Sequence, residues 1–361
     1  MISGSGSGCK AEGDQSRSAA LAANRFDFLR LAFACGVFAF HAWVLAAFAP
    51  DGAVERSLGH MAELSIQGFF IVSGALVFGS LERTRSLLTY ASKRIRRLYP
   101  AYATIILIPV LISGFMTGWA RPEALMEYLG ANLIFLNFLS PDLPGLFADN
   151  RFSAVNGALW TLKVEVLFYM VLPVFAVFLR LFGRFSWVLF GLVYVLAEMW
   201  RLLLPVYFHH PLAEELSRQL PGQMAFFVSG MVLWKLWRTA AKQPGLFGLV
   251  GLALVLVSFL SPWLEPLRAA GLGGIIGYVA FAPGPSLQAA RFGDISYGVY
   301  ITHFPIIQAL VMLGLFGPEQ ALVGIAAATV LVLLASFLLW HLVERPALRR
   351  DSHYRRAEAQ A

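Results

Sequence analysis

Charge is scarce in this chain. Asp, Glu, Lys and Arg make up 14% of its 361 residues and hydrophobic residues 58%, whereas a soluble domain carries roughly 25% charged residues. The mean hydropathy is +0.68. These values exclude an ordinary soluble globule. Cysteine is scarcer still. Cys9 sits in a polar tail and Cys35 in an apolar run, so neither a disulfide framework nor a Cys-rich metal site is expected, and no metal site of any kind. No apolar stretch precedes Cys9, so we expect neither a secretory signal peptide nor a lipidation site there. The first apolar run itself would direct membrane insertion. No internal repeat and no second soluble domain is visible. Acidic residues are outnumbered, giving a net charge of +7 and a pI of about 9.6. In a soluble protein that excess would suggest nucleic acid. In an apolar chain, basic cytoplasmic loops account for it, and no nucleic-acid partner is expected.

What the chain has is long apolar runs, from Phe26 to His341. They predict an all-α polytopic membrane helical bundle of about ten transmembrane helices. The candidate spans are 27–48, 62–81, 99–117, 158–179, 185–204, 220–237, 245–261, 268–283, 294–313 and 320–341, the eighth weak and Gly-rich. Arg83, Arg85, Lys93, Arg94, Arg96 and Arg97 follow span two; Arg180 and Arg184 follow span four; Lys235, Arg238 and Lys242 follow span six. Arg291 follows span eight, and Arg345, Arg349 and Arg350 follow span ten. All fall on one side if both termini are cytoplasmic, as the positive-inside rule requires. The expected domains are a disordered cytoplasmic tail over 1–24, a membrane domain over 25–346 and a cytoplasmic tail over 347–361. The loop 118–157 is too long for a connector and holds an apolar stretch, 128–139, too short to span. We expect it to be re-entrant or interfacial, and to carry function.

Five constellations stand out because ionisable and polar groups at membrane depth are costly. Arg30 and His41 bracket ten apolar or small residues of the first span. Eleven residues make three turns plus about 20°, so both side chains share one helix face about 16 Å apart, which suits two ends of one pocket. Arg30 alone could also snorkel to the headgroups or pair with Asp27, and His41 could be a buried structural histidine. In Gly68-Phe69-Phe70-Ile71-Val72-Ser73-Gly74, the small residues allow close helix approach, and Ser73 could hydrogen-bond a ligand. Arg94 and Arg97 are i,i+3 neighbours, a cationic patch that could grip phosphates or lipid headgroups. Glu165 lies about 12 Å into its span, near the depth of His41, so it could orient that imidazole or pair with Lys163. Finally, Tyr297, Tyr300 and His303 recur at i,i+3 beside Ser296, and Pro305 should free the carbonyl of Ile301. The closing Glu344-Arg345-Pro346 reads as an interfacial stop.

These residues, in this order, resemble the acyltransferase-three family of integral membrane O-acyltransferases. The resemblance rests on Arg-x10-His, Phe-Phe-x-x-Ser-Gly, Arg-x-x-Arg-x-x-Pro and Ser-Tyr-x-x-Tyr-x-x-His-x-Pro, with the terminal Glu-Arg-Pro. It covers 25–346. It implies transfer of an acyl group, most often acetyl from acetyl-CoA, to a hydroxyl of a sugar or a cell-surface or secreted glycan. It further implies a multi-pass protein of the bacterial inner membrane with no permanently bound cofactor. By that resemblance His41 and Arg30 are expected to be required for activity, and the depth argument adds Glu165 to them as a catalytic residue. Arg94, Arg97, Arg30 and Ser73 would bind the acyl donor, and Tyr297, Tyr300, His303 and Trp160 would line the pocket. Acyl-CoA, a glycan acceptor and membrane lipid are the expected partners. Two departures are visible: one carboxylate in Val164-Glu165-Val166-Leu167-Phe168-Tyr169 where the family often has two polar positions, and Thr302 where a tryptophan is usual. Some members append a soluble esterase-like domain; the sequence runs only about fifteen residues past Pro346, so any second step is expected to use another protein or none. The rival class is a transporter or flippase for a lipid-linked glycan, which also uses intramembrane His, Glu and Arg.

Overall fold

The protein is described here from a computed structural model covering residues 25–84, 86–285, 287, 289 and 293–348. The expected tail over 1–24, with Cys9, lies outside the described residues, as do Arg85, Arg291, Arg349 and Arg350 and the end of the C-terminal tail. All regular structure among the described residues is helical. The principal helices are α1 (Phe26–Leu45), α2 (Ala53–Glu82), α3 (Leu87–Met116), α4 (Pro122–Leu133), α5 (Trp160–Phe182), α6 (Ser186–Tyr207) and α7 (Pro211–Ser217). They continue with α8 (Leu220–Lys235), α9 (Trp237–Lys242), α10 (Pro244–Ser258), α11 (Leu267–Phe281), α12 (Ser296–Met312) and α13 (Ala321–Leu339).

A helix stands at each of the ten expected spans, but they are not equal. Five runs are long and apolar enough to cross a membrane: Phe26–Leu45, Ala53–Glu82, Leu87–Met116, Gly157–Tyr207 and Pro318–Ala347. The fourth holds α5 and α6, joined by a three-residue 3-10 turn whose first residue, Gly183, has φ +49. Helices α8, α10, α11 and α12 are shorter, at 16, 15, 15 and 17 residues. Large apolar side chains such as Leu322, Val323 and Val330 of α13 stay exposed, the surface that a hydrocarbon environment would cover.

Helix α1 packs between α2 and α12; α2 backs onto α8, and α10 pairs with α11. Small residues make these approaches possible. A Cβ on Gly230 of α8 would lie 1.9 Å from the Ile71 carbonyl oxygen of α2, and one on Gly74 2.2 Å from that of Phe227. The Gly-rich eighth segment has the same explanation, since a Cβ on Gly251 of α10 would meet the Gly271 oxygen at 2.6 Å. Its weak hydropathy reflects helix-on-helix contact.

The loop 118–157 is folded onto the bundle. Its apolar part differs from the expectation: helix α4 begins earlier, at Pro122, and ends at Leu133, where Asn132 turns the chain by donating to the carbonyls of Tyr128 and Ser140 at 2.9 and 2.8 Å. Buried Gln308 of α12 holds the next stretch, donating to the carbonyls of Phe152 and Ala154 at 2.6 and 3.0 Å and accepting from Asn150 at 2.8 Å. The carbonyl of Ile301, left without its helical donor by Pro305, accepts from Asn156 Nδ2 at 2.9 Å. A kink in α12 and the last turn of the loop are thus fixed by one amide.

Candidate active site

The chain reverses direction between α1 and α2 and again between α2 and α3. The start of α1, the end of α2 and the start of α3 therefore gather at one end of the bundle. The end of α1, the start of α2 and the start of α5 gather at the other. Each end holds a cavity.

At the first end, Arg30, Ser73, Arg94, Arg97, Glu165 and Tyr169 are among the residues lining a narrow cavity of about 80 Å³, a space that a few water molecules would fill. Its floor is an ionic network. Asp294, directly before α12, accepts from Arg30 Nη1 at 2.6 Å and from Arg97 Nη2 at 2.5 Å through the same Oδ2. Ser296 donates to its Oδ1 at 2.6 Å. Arg97 also donates to Glu344. These side chains are between 1% and 14% exposed, so the pairs are desolvated and each charge depends on its partners. Glu344 reaches inward from a π-helical turn, Trp340–Glu344, and is not an interfacial stop. Arg94 is built differently. It donates to Ser80 Oγ at 3.3 Å, lies 5.8 Å over the Tyr169 ring, and its Nε is buried without a partner. The expected Arg94–Arg97 phosphate grip is therefore split: Arg97 is committed to two carboxylates and Arg94 to none. Arg30 reaches Asp294, 264 residues away in sequence.

Glu165 lies on this same cavity, accepting from Ser73 Oγ at 2.8 Å and from Tyr169 OH at 2.5 Å. The structure does not bring it to His41. Ser73 is consumed in that bond. Lys163 lies 4.7 Å over the Phe138 ring, not against Glu165.

At the second end, a larger cavity of about 560 Å³ includes His41, Trp160, Gln67, Arg201 and Gln223 in its lining. Tyr300 and Ile66 line both cavities. Arg30 and His41 thus line two adjoining cavities that share Tyr300 and Ile66 in their walls. The Tyr300 hydroxyl is held by Thr161 Oγ1 at 2.7 Å and by the Ala158 carbonyl at 3.3 Å. Tyr297 lines the first cavity with Tyr300 and donates to the Leu98 carbonyl at 3.1 Å.

His41 meets a histidine. Its Nδ1 lies 2.8 Å from Nε2 of His303, and Nδ1 of His303 lies 3.0 Å from the Val299 carbonyl oxygen. A carbonyl only accepts, so His303 Nδ1 carries a proton. With both rings neutral, His303 Nε2 is then the acceptor and His41 Nδ1 the donor. That leaves His41 Nε2 unprotonated, the state a general base needs. His303 is fully buried, so the chain of bonds is shielded from water.

Sequence reasoning left Asp294 and Tyr169 without a role, took Glu344 for part of an interfacial stop, and did not single out Gln67, Glu198, Arg201 or Gln223. The signal was available for some: Glu198 and Arg201 are ionisable, three residues apart, inside an apolar run. Glutamines carry no such flag.

The comparisons with known proteins agree with this arrangement of motifs. The family model described as an acyltransferase domain matches residues 24–341, and the chain belongs to that acyltransferase-three family, whose members are membrane proteins. It is similar to the O-acetyl transferase of Shigella phage Sf6, 28% identical over 352 residues covering 91% of this chain and 97% of that protein. It is similar to Nodulation protein 10 of Rhizobium leguminosarum bv. viciae, 26% identical over 358 residues, 90% and 93% of the two chains. A third relative is the exopolysaccharide production protein ExoZ of Rhizobium meliloti (strain 1021), 26% identical over 321 residues, 82% and 94%. No solved structure matches.

Proposed function

We propose that this acyltransferase moves an acetyl group from acetyl-CoA to a hydroxyl of a sugar in a cell-surface or secreted glycan, working across the bacterial inner membrane as a multi-pass protein with both termini cytoplasmic. The names of two relatives, an O-acetyl transferase and an exopolysaccharide production protein, support the acetyl group and the glycan. The observation that carries the reading is the His41–His303–Val299 chain, whose His41 lines the polar cavity together with Tyr300, a wall shared with the cationic one.

The donor enters at the Arg94 end. The narrow cavity accepts a slender arm and no nucleotide, so the nucleotide stays outside, where Arg94 meets its phosphates. The thioester passes the shared Ile66–Tyr300 wall when Tyr300 leaves its bonds. His41 Nε2 takes the proton of the acceptor hydroxyl while that oxygen attacks the thioester carbonyl. The carbon–sulfur bond breaks, and the CoA thiolate leaves and takes up the proton. His303 keeps His41 in the required tautomer and shares the charge it gains. Glu165, with Ser73 and Tyr169, shapes the donor cavity.

The test is purified protein in nanodiscs with acetyl-labelled acetyl-CoA and a glycan acceptor. CoA release and a labelled ester are expected without any membrane gradient. His41→Ala should lower both by about 10³-fold. Normal CoA release in that variant, or glycan movement across the bilayer without thioester cleavage, would sink the proposal.

A further inference from the structure

The cavity at the His41 end carries more polar chemistry than a general base needs. Glu198, Arg201 and Glu265 form one ion-paired row: Arg201 donates to Glu198 at 2.6 Å and to Glu265 at 2.5 Å. Arg268 joins Glu265 and Glu63, each at 3.3 Å. Gln67 Nε2 donates to Glu63 Oε1 at 2.8 Å. These groups come from α2, α6, the connection between α10 and α11 and the first turn of α11, and none is required by the fold of an apolar bundle.

Several of their atoms are unsatisfied. Gln67 is 3% exposed and Gln223 7%, and both line the cavity. Gln67 Oε1 and Arg201 Nε are buried without a hydrogen-bond partner, and no side-chain hydrogen bond to Gln223 exists among the described residues. Buried polar atoms without partners are costly, and their presence at a cavity wall points to a ligand that supplies the missing bonds. The volume, about 560 Å³, is in the range of small-molecule sites (about 300–1,000 Å³).

From these observations we propose that this cavity is the acceptor site and that it takes an uncharged polyhydroxylated ring. Gln67 and Gln223 read its hydroxyls, and Trp160 supplies an apolar wall. The inference rests on the acyl-transfer reading for its chemistry, because His41 is the group that would deprotonate the bound hydroxyl. The absence of a carboxylate or phosphate on the acceptor follows from charge. Of the charged groups on its wall, Arg201 is already paired with Glu198 and Glu265, so an anionic ring would face the carboxylates of Glu63 and Glu265 with only the exposed Arg218 to answer it. An amide offers both a donor and an acceptor, which suits the hydroxyl pattern of a neutral sugar.

The probes are methyl glucoside, methyl galactoside and methyl glucuronide, applied to the protein in nanodiscs. Saturation-transfer NMR without acetyl-CoA reads binding, and labelled acetyl-CoA reads transfer. The two neutral glycosides should bind, and the glucuronide at least tenfold more weakly. Gln67→Leu should weaken neutral glycoside binding tenfold or more. It should raise the acceptor KM by the same factor, while the KM for acetyl-CoA stays within twofold. Gln223→Leu, on a different helix, should do the same, so a folding defect in one variant leaves the other to decide; thermal unfolding identifies such a defect. Wild-type binding in both variants, equal binding of the glucuronide, or no binding of any glycoside would overturn the assignment. Binding as expected with no labelled ester on any glycoside would overturn acetyl transfer and leave the site standing.

Discussion

The two cavities differ in how tightly their charged groups are tied to one another and in how much space they leave. At the Arg30 end, two of the three guanidiniums are locked onto Asp294 and Glu344, and Glu165 holds two hydroxyls. At the His41 end, the ion pairs leave amide and guanidinium atoms open, and the space is about 560 Å³ against about 80 Å³. The first end is a closed electrostatic joint with a slot in it; the second is a vacancy with chemistry on its walls. Charge near a cavity is therefore a poor guide to what binds there. Arg97 is the most highly paired cation of the first end, and that pairing removes it from ligand duty.

This contrast can be broken at the joint first. Asp294→Asn leaves two buried guanidiniums with one carboxylate, and removing one partner of a buried pair costs about 3–5 kcal/mol. A large drop in the thermal midpoint in detergent is expected, and added salt should not reproduce it, because the pairs are shielded from screening. His303→Phe comes next. It removes the acceptor of His41 Nδ1, and transfer should fall about 10²-fold with little change in thermal stability, since the general base itself is worth about 10²–10⁴; His303→Gln, which keeps an acceptor, should recover most of the rate. Arg94→Ala should raise the acetyl-CoA KM by about tenfold, one charge-assisted contact's worth, and leave the thermal midpoint in place, whereas Arg97→Ala should lower the midpoint. Equal effects from the two arginines would erase the distinction between joint and slot. The smallest effect belongs to Arg151→Ala, at the periphery. Arg151 pairs with Glu55 at 3.0 Å while 24% exposed, so the loss should stay below about 1 kcal/mol and shrink further in salt.

The fold was readable because its cause is compositional. Apolar runs of the right length mark helices, and a helix stands at each expected span. Their rank was less readable: α11 scores poorly in hydropathy because Gly271 and Gly274 serve contact with α10. Of the candidate site, Arg30, His41, Arg94 and His303 were legible as ionisable groups in apolar surroundings. Which of them meet was not. Helical spacing places Arg30 and His41 on one face, but whether a face borders one cavity or two depends on Tyr300 and Ile66 from other helices. Depth matching suggested Glu165 for His41, yet depth fixes only one coordinate. Around the bundle axis, Glu165 faces Ser73 and Tyr169 while His41 faces α12. Glu344 was read as part of an interfacial stop because nothing in the sequence marks the π turn that carries it inward.

The π turn at Trp340–Glu344 accommodates an extra residue relative to an α-helix. A single-codon deletion there would let the helix run on in regular α form and turn everything beyond by about 100°. The hydropathy profile would hardly change, and substitution tolerance at those positions would give no warning. Yet Glu344 would swing off Arg97 and the closed joint would open. Reading frame in the local, structural sense matters at this turn more than side-chain identity, so in-frame deletions across 340–344 should be far less tolerated than point changes at the exposed Leu342.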